Sequence, residues 1–441
     1  AVSGMTGSGT VIATIPANSA QDTAGNGNTN STSTDNTVTY DVTAPTVTVN
    51  QAAGQLDPTN VSPINFTVVF SETVTGFIDA DVTLTGAAGA TTAVVTGSGT
   101  TYDVAVSGMT GSGTVIASIA AGMATDAAGN TSTASTSTDN TVTFDNTALT
   151  VTINQAAAQA DPTNATPINF TVVFSKAVTG FTGTDVSLSG TAGATNAVVT
   201  GSGTTYNVAA SGMVGTGTVT ANIPVGGAQD ASGNGNAAST STDNTITYDN
   251  TAPTVIINRA AAQADPTNAS PINFTVVFSE TVTGFTGTDV ALSGTAGATT
   301  AVVTGSGTTY NVAVSGMIGS GTVIATVPAG NAQDASGNGN ANSTSTDNNV
   351  LYDSAAPTVT IDQAAGQADP TNASPIDFTV LFSEPVTGFT GVDVTLTGTA
   401  GATTAVVTGS GTTYNVAVSG MAGSGTVIAS IAAGVATDVA S

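Results

Sequence analysis

Carboxylates are almost the only ionisable side chains available for chemistry in this chain. Its 441 residues hold 28 Asp and Glu against two cations, Lys176 and Arg259, and contain no His and no Cys, for a net charge of −26. Without imidazole or thiol, no Ser/His/Asp or Cys/His nucleophilic set can form, and no zinc site built on those ligands. Clustered carboxylates suit a hard divalent cation that takes roughly six to eight oxygens, and Ca²⁺ is the expected cofactor. Paired carboxylates can also act as acid and base. Here they recur beside turn residues with few aromatics to form a sugar platform, so the chain is read as non-catalytic. Gly97-Ser98-Gly99 and its copies lack the Lys of a phosphate loop and read as hairpin turns.

The same balance bounds the partners. Nucleic acid requires clustered Lys and Arg, which are missing, and an anionic membrane surface would repel the chain. No apolar run is long enough to span a bilayer, so no membrane insertion is expected. The absence of Cys removes any disulfide framework and is compatible with an extracellular protein stabilised by other means.

The acids are embedded in a sequence written repeatedly with a fixed period. Asp57-Pro58-Thr59-Asn60 recurs at Asp161, Asp265 and Asp369, 104 residues apart, and Ser3-Gly4-Met5 recurs at Ser107, Ser211, Ser315 and Ser419. Between 265–290 and 369–394 only four of 26 positions differ. A fixed period of this size means tandem copies of one folding unit. The expected units are 42–145, 146–249 and 250–353, flanked by a partial unit 1–41 and by 354–441, which lacks its last strand. Ala1 corresponds to Ala105 and Ser441 to Gly129. A window on a longer repetitive chain is therefore expected. Strand exchange between chains is the alternative, since 26–41 is the segment the last unit lacks.

Within 42–145 the hydrophobic period is two. Thr46–Asn50, Ile64–Ser71, Asp81–Thr85, Thr92–Thr96, Thr101–Ser107, Thr114–Ile119 and Thr141–Asp145 read as strands. In the clearest of them Ile64, Phe66, Val68 and Phe70 face one way, and Val69 breaks the alternation. Short alternating runs punctuated by Gly, Pro and Asn predict an all-β antiparallel sandwich. The stretch Ala120–Asn140 is left as a long loop. It carries Asp126-Ala127-Ala128-Gly129-Asn130, a pattern that fits either a turn or a cation-binding loop.

Thr251-Ala252-Pro253-Thr254-Val255 at a unit start, Phe382-Ser383-Glu384-Pro385-Val386-Thr387-Gly388-Phe389, Asp126 to Asn130, and the junction Tyr248-Asp249-Asn250-Thr251-Ala252-Pro253 resemble bacterial immunoglobulin-like repeats of large surface adhesins. The resemblance covers the whole chain. It implies tandem immunoglobulin-like β-sandwiches in an extracellular or cell-surface setting, often rigidified by Ca²⁺ near domain junctions.

Strand direction then places the acids. Glu72, Asp139 and the preceding unit's last acid, Asp41, are expected to converge at the junction pole. The corresponding later sets are Asp249, Glu280 and Asp347, and then Asp353 with Glu384. Bare carboxylates about 5 Å apart would repel by on the order of 3 kcal/mol at an effective dielectric near 20. A second group, Asp57, Asp81 and Asp126, is expected at the opposite pole. The second unit has Lys176 where the others have Glu, and Ala148-Leu149 where they have Ala-Pro or its equivalent. An ammonium paired with Asp145 and Asp243 would replace the ion there. The function expected from this chain is a stalk that sets length and stiffness, with a self-assembled filament or sheath and a carbohydrate-binding array as alternatives. The expected partners are a host or cell-surface ligand, or further copies in a fibre.

Overall fold

The computed structural model describes residues 1–440. They form two compact units, one of Ala1–Gln159, Thr166–Val214 and Thr218–Ile246, the other of Ala160–Ala165, Gly215–Gly217 and the chain from Thr247 onward. In the first unit a ribbon of Gly9–Ile12 and Thr37–Tyr40 precedes the repeat 42–145. That repeat contains β1 (Val47–Gln51), β2 (Ile64–Val74), β3 (Val82–Thr85), β4 (Thr92–Ser107), β5 (Gly113–Ile119) and β6 (Thr141–Phe144). Antiparallel pairing gives two sheets, β1-β2-β4 and β3-β5-β6. Val, Ile and Thr dominate these strands because branched side chains pack well on a pleated surface.

The core lies between the sheets. Ile64, Phe66 and Val68 of β2 are fully buried, as are Val104 and Val106 of β4 and Val115 and Ala117 of β5. Each such aliphatic or aromatic side chain larger than Ala contributes about 1.5–3 kcal/mol by leaving water. Phe70, Phe77 and Tyr102 meet edge to face at centroid distances of 5.2 to 5.8 Å, and the Tyr102 hydroxyl donates to the Val74 carbonyl. This arrangement anchors the end of β2 without burying an unpaired polar group. Strand β4 folds back on itself at Gly97, whose φ of 114° suits glycine; a Cβ there would lie 2.7 Å from the Thr101 carbonyl oxygen.

Two features position the acids. First, the pairing of β2 with β4 runs from Ile64↔Val106 to Val69↔Thr101 and resumes at Val74↔Gly99. Residues 70–73 thus stand opposite Thr100 alone, and this bulge carries Glu72. Second, the stretch read as a long loop is ordered by backbone hydrogen bonds. Thr75 and Thr125 exchange N–H···O bonds of 2.8 and 3.0 Å, which hold Asp126 beside the bulge. Beyond it, Thr133 donates to Pro45 O, Thr136 to Val47 O, and Gln51 to Asp139 O. That segment runs alongside β1 and delivers Asp139 to the far end of β1.

The same strands recur in the first unit as Val151–Gln155, Ile168–Thr179 and Asn196–Ser211, with Ser187–Ser189 on Gly217–Asn222. In the second unit they recur as Val255–Arg259, Ile272–Val282 and Thr300–Ser315, then as Val359–Gln363, Ile376–Val386 and Thr404–Ser419.

Candidate metal centre

Asp41, Glu72 and Asp126 each bring a carboxylate oxygen to within 4.8 Å of the others. The same triad recurs in the second unit as Asp249, Glu280 and Asp334, and as Asp353, Glu384 and Asp438. The two aspartates of the first triad are held by their own loops. Asp41 Oδ1 accepts from the Ser8 hydroxyl at 2.7 Å and from the Thr43 N–H at 2.9 Å. Asp126, nearly buried, accepts at Oδ1 from the N–H groups of Ala128 (2.8 Å) and Asn130 (2.9 Å), and at Oδ2 from Asn130 Nδ2. Donation from Asn130 lowers the Asp126 pKa. Glu72 goes the other way: burial first, then the charges of Asp41 and Asp126, push its pKa up. Glu280 and Glu384 are raised for the same reasons. A group of three carboxylates with one destabilised by the other two is short of positive charge, and its donors are all hard oxygens.

The repeat that departs from the pattern shows what the position attracts. Lys176 Nζ lies 2.7 Å from Asp145 Oδ2, 3.0 Å from Asp230 Oδ2 and 2.9 Å from the Thr147 carbonyl oxygen. Asp145 and Asp230 are the counterparts of Asp41 and Asp126. Their Oδ1 atoms keep the local bonds, to Thr147 N–H and to Ser232 and Asn234 N–H. Each Oδ2 is turned to the cation. The Lys176 hydrogen bond holds the Asp145 carboxyl far below the usual carboxylate range. Burial alone would lower the Lys176 pKa, but the bonds to Asp145 and Asp230 outweigh it and raise it.

Three expectations are corrected by this geometry. Asp139 does not join Asp41 and Glu72, because its segment runs along β1 and its carbonyl accepts from Gln51 N–H at the other end. Asp347, its counterpart, faces Arg259, which also reaches Asp265, each at 3.4 Å. Lys176 accordingly pairs with Asp230 rather than Asp243, whose carbonyl accepts from Gln155 N–H. Asp57, Asp81 and Asp126 do not gather. Asp57 accepts from Thr143 N–H, Asp81 from Ile78 N–H within its own 3₁₀ turn, and Asp126 belongs to the junction triad. The signal that could have found Asp126 was its Asp-x-x-Gly-Asn pattern, repeated with the same period as Glu72.

The triad joins residues from either side of a repeat boundary, and direct bonds brace boundaries both with a triad, at Asp249, and without one, at Asp145. In the first unit, Asn60 N–H donates to Ser232 O at 2.9 Å and Asn234 Nδ2 to Asp145 O at 2.9 Å. In the second unit, Asn164 N–H donates to Ser336 O at 3.0 Å and Asn338 Nδ2 to Asp249 O at 2.9 Å. Gly233 turns the first of these loops at φ 88°, and a Cβ there would crowd Asn60 Oδ1 at 3.3 Å. No helix among the described residues is long and apolar enough to cross a membrane.

Residues 41–143 match the family profile of the bacterial Ig-like domain. Comparison with curated proteins finds no match. Strands starting at Val47, Val151, Val255 and Val359 repeat that unit at 104-residue intervals. The chain is thus a tandem array of Ig-like β-sandwich repeats, one of which, 41–143, matches the bacterial Ig-like domain.

Proposed function

We propose that these domains form the stalk of an extracellular surface protein, and that Ca²⁺ bound at the acidic triads couples each domain to the next. The domains in this reading are 42–145, 146–249, 250–353 and 354–441, with 1–41 a partial repeat before them. The observation that carries it is the composition of the triad: Asp41 ends one repeat, while Glu72 and Asp126 belong to the next. An ion held by all three links two domains that otherwise share a short peptide and a few hydrogen bonds. Three carboxylates plus the carbonyl of Thr43, the counterpart of the Thr147 oxygen that meets Lys176, provide hard oxygens suited to Ca²⁺. The family is one of structural modules found in bacterial surface proteins, and none of the features described calls for catalysis. Ion binding that favours the folded junction stabilises it by about 2.7 kcal/mol at a hundred times Kd. Isothermal titration of the whole chain with Ca²⁺ tests this: one ion per triad is expected, with one fewer in Glu280→Gln. Titration heat indistinguishable from buffer, or uptake unchanged in the variant, contradicts it.

A further inference from the structure

The boundary at Asp145 differs from the others in two independent ways. The first is Lys176, whose ammonium meets oxygens of Asp145, Thr147 and Asp230. The second is Leu149, which takes the place of Pro45, Pro253 and Pro357; like Pro45 and Pro253 it is buried. The backbone bond there is common to the boundaries: Ala237 N–H donates to Leu149 O at 2.9 Å, as Thr133 does to Pro45 O and Ala341 to Pro253 O. A proline restrains the linker through its fixed φ; Leu149 lacks that restraint, so the lock at this boundary rests on Lys176. Where a divalent ion would neutralise three carboxylates, one fixed ammonium faces two. A second cation entering that space would meet Nζ at contact distance.

We infer that the Asp145 boundary is a metal-independent lock, so that removing divalent ions loosens the triad boundaries of this chain and leaves this one closed. This rests on the calcium reading of the triads for its contrast, although the lock itself does not. Arg259, the other cation, bridges Asp265 and Asp347 away from any triad, so Lys176 is the single side chain that supplies a positive charge at a boundary among the described residues.

The test exchanges the two chemistries in the full chain. Calcium titration is expected to count three ions in the native chain, matching the three triads. Lys176→Glu should bind one more and Glu280→Lys one fewer. Amide hydrogen exchange in EGTA should keep residues 145–149 protected while 249–253 become exposed, and Lys176→Met should lose the protection at 145–149. An ion bound at the native Asp145 boundary, no gain in Lys176→Glu whose domains remain protected, or loosening of 145–149 in EGTA alongside the rest would overturn the inference. If no boundary takes up calcium, the stalk's metal reading falls by itself. Exchange then decides the lock: protection at 145–149 that Lys176→Met leaves intact overturns it.

Discussion

At the scale of single residues, the sign of each titration separates the two kinds of boundary. Burial and the charges of Asp334 and Asp249 raise the Glu280 pKa above the ordinary 4.5. A raised folded pKa means folding favours the protonated form. That contribution is complete below 4.5 and is lost as pH rises through the folded value. In chelator the triad should therefore weaken the fold as pH climbs toward neutrality, and Glu280→Gln should flatten that dependence in thermal melts. Calcium should invert it, since only the ionised triad binds the ion. Asp145 behaves in the opposite sense. Its pKa is depressed by Lys176, so its stabilisation is present above the ordinary 3.8 and is lost as pH falls through the folded value. Lys176→Met, which leaves the nearly buried Asp230 without its cation, should cost about 2 kcal/mol at neutral pH in denaturant unfolding, with or without EGTA.

At the scale of elements, much of one repeat was legible in its sequence. The period-two runs located β1 to β6, and the alternation of Ile64, Phe66, Val68 and Phe70 identified the buried face of β2. Phe66→Ala should consequently cost about 3–5 kcal/mol, measured by the shift in urea midpoint. The acidic site was legible in part. Asp41 and Glu72 were placed together because strand direction alone fixes which pole they reach. Asp126 and Asp139 were exchanged because a polar Ala/Ser/Thr stretch has no hydrophobic period to reveal that it lies along β1. Its course depends on backbone bonds such as Thr136 N–H to Val47 O, which no side-chain pattern encodes. The Asn of the Asp-x-x-Gly-Asn pattern is legible as part of a turn or cation-binding loop, but its reach across the boundary is not: Asn338 makes one bond to Asp249 O and another to Asp334 Oδ2. Asn338→Ala should weaken calcium binding at that triad about tenfold while the domain stays folded, as loss of an outer-shell partner does at metal sites.

At the scale of the whole molecule, composition and repetition point the same way. A chain with 7% charged residues has 28 acids and only two cationic side chains, Lys176 and Arg259, each of which pairs with two aspartates among the described residues. Near-identical units in tandem add length rather than new chemistry. The central claim is that divalent cations couple successive domains. Electron microscopy of the purified chain, in Ca²⁺ and again in EGTA, tests it most directly. The account predicts single threads that are straight in Ca²⁺ and bend at their domain boundaries in EGTA, fewer bends falling at the Lys176 boundary. Threads with the same distribution of bends in both conditions would contradict it, and ordered fibres of many chains would favour a self-assembled filament instead.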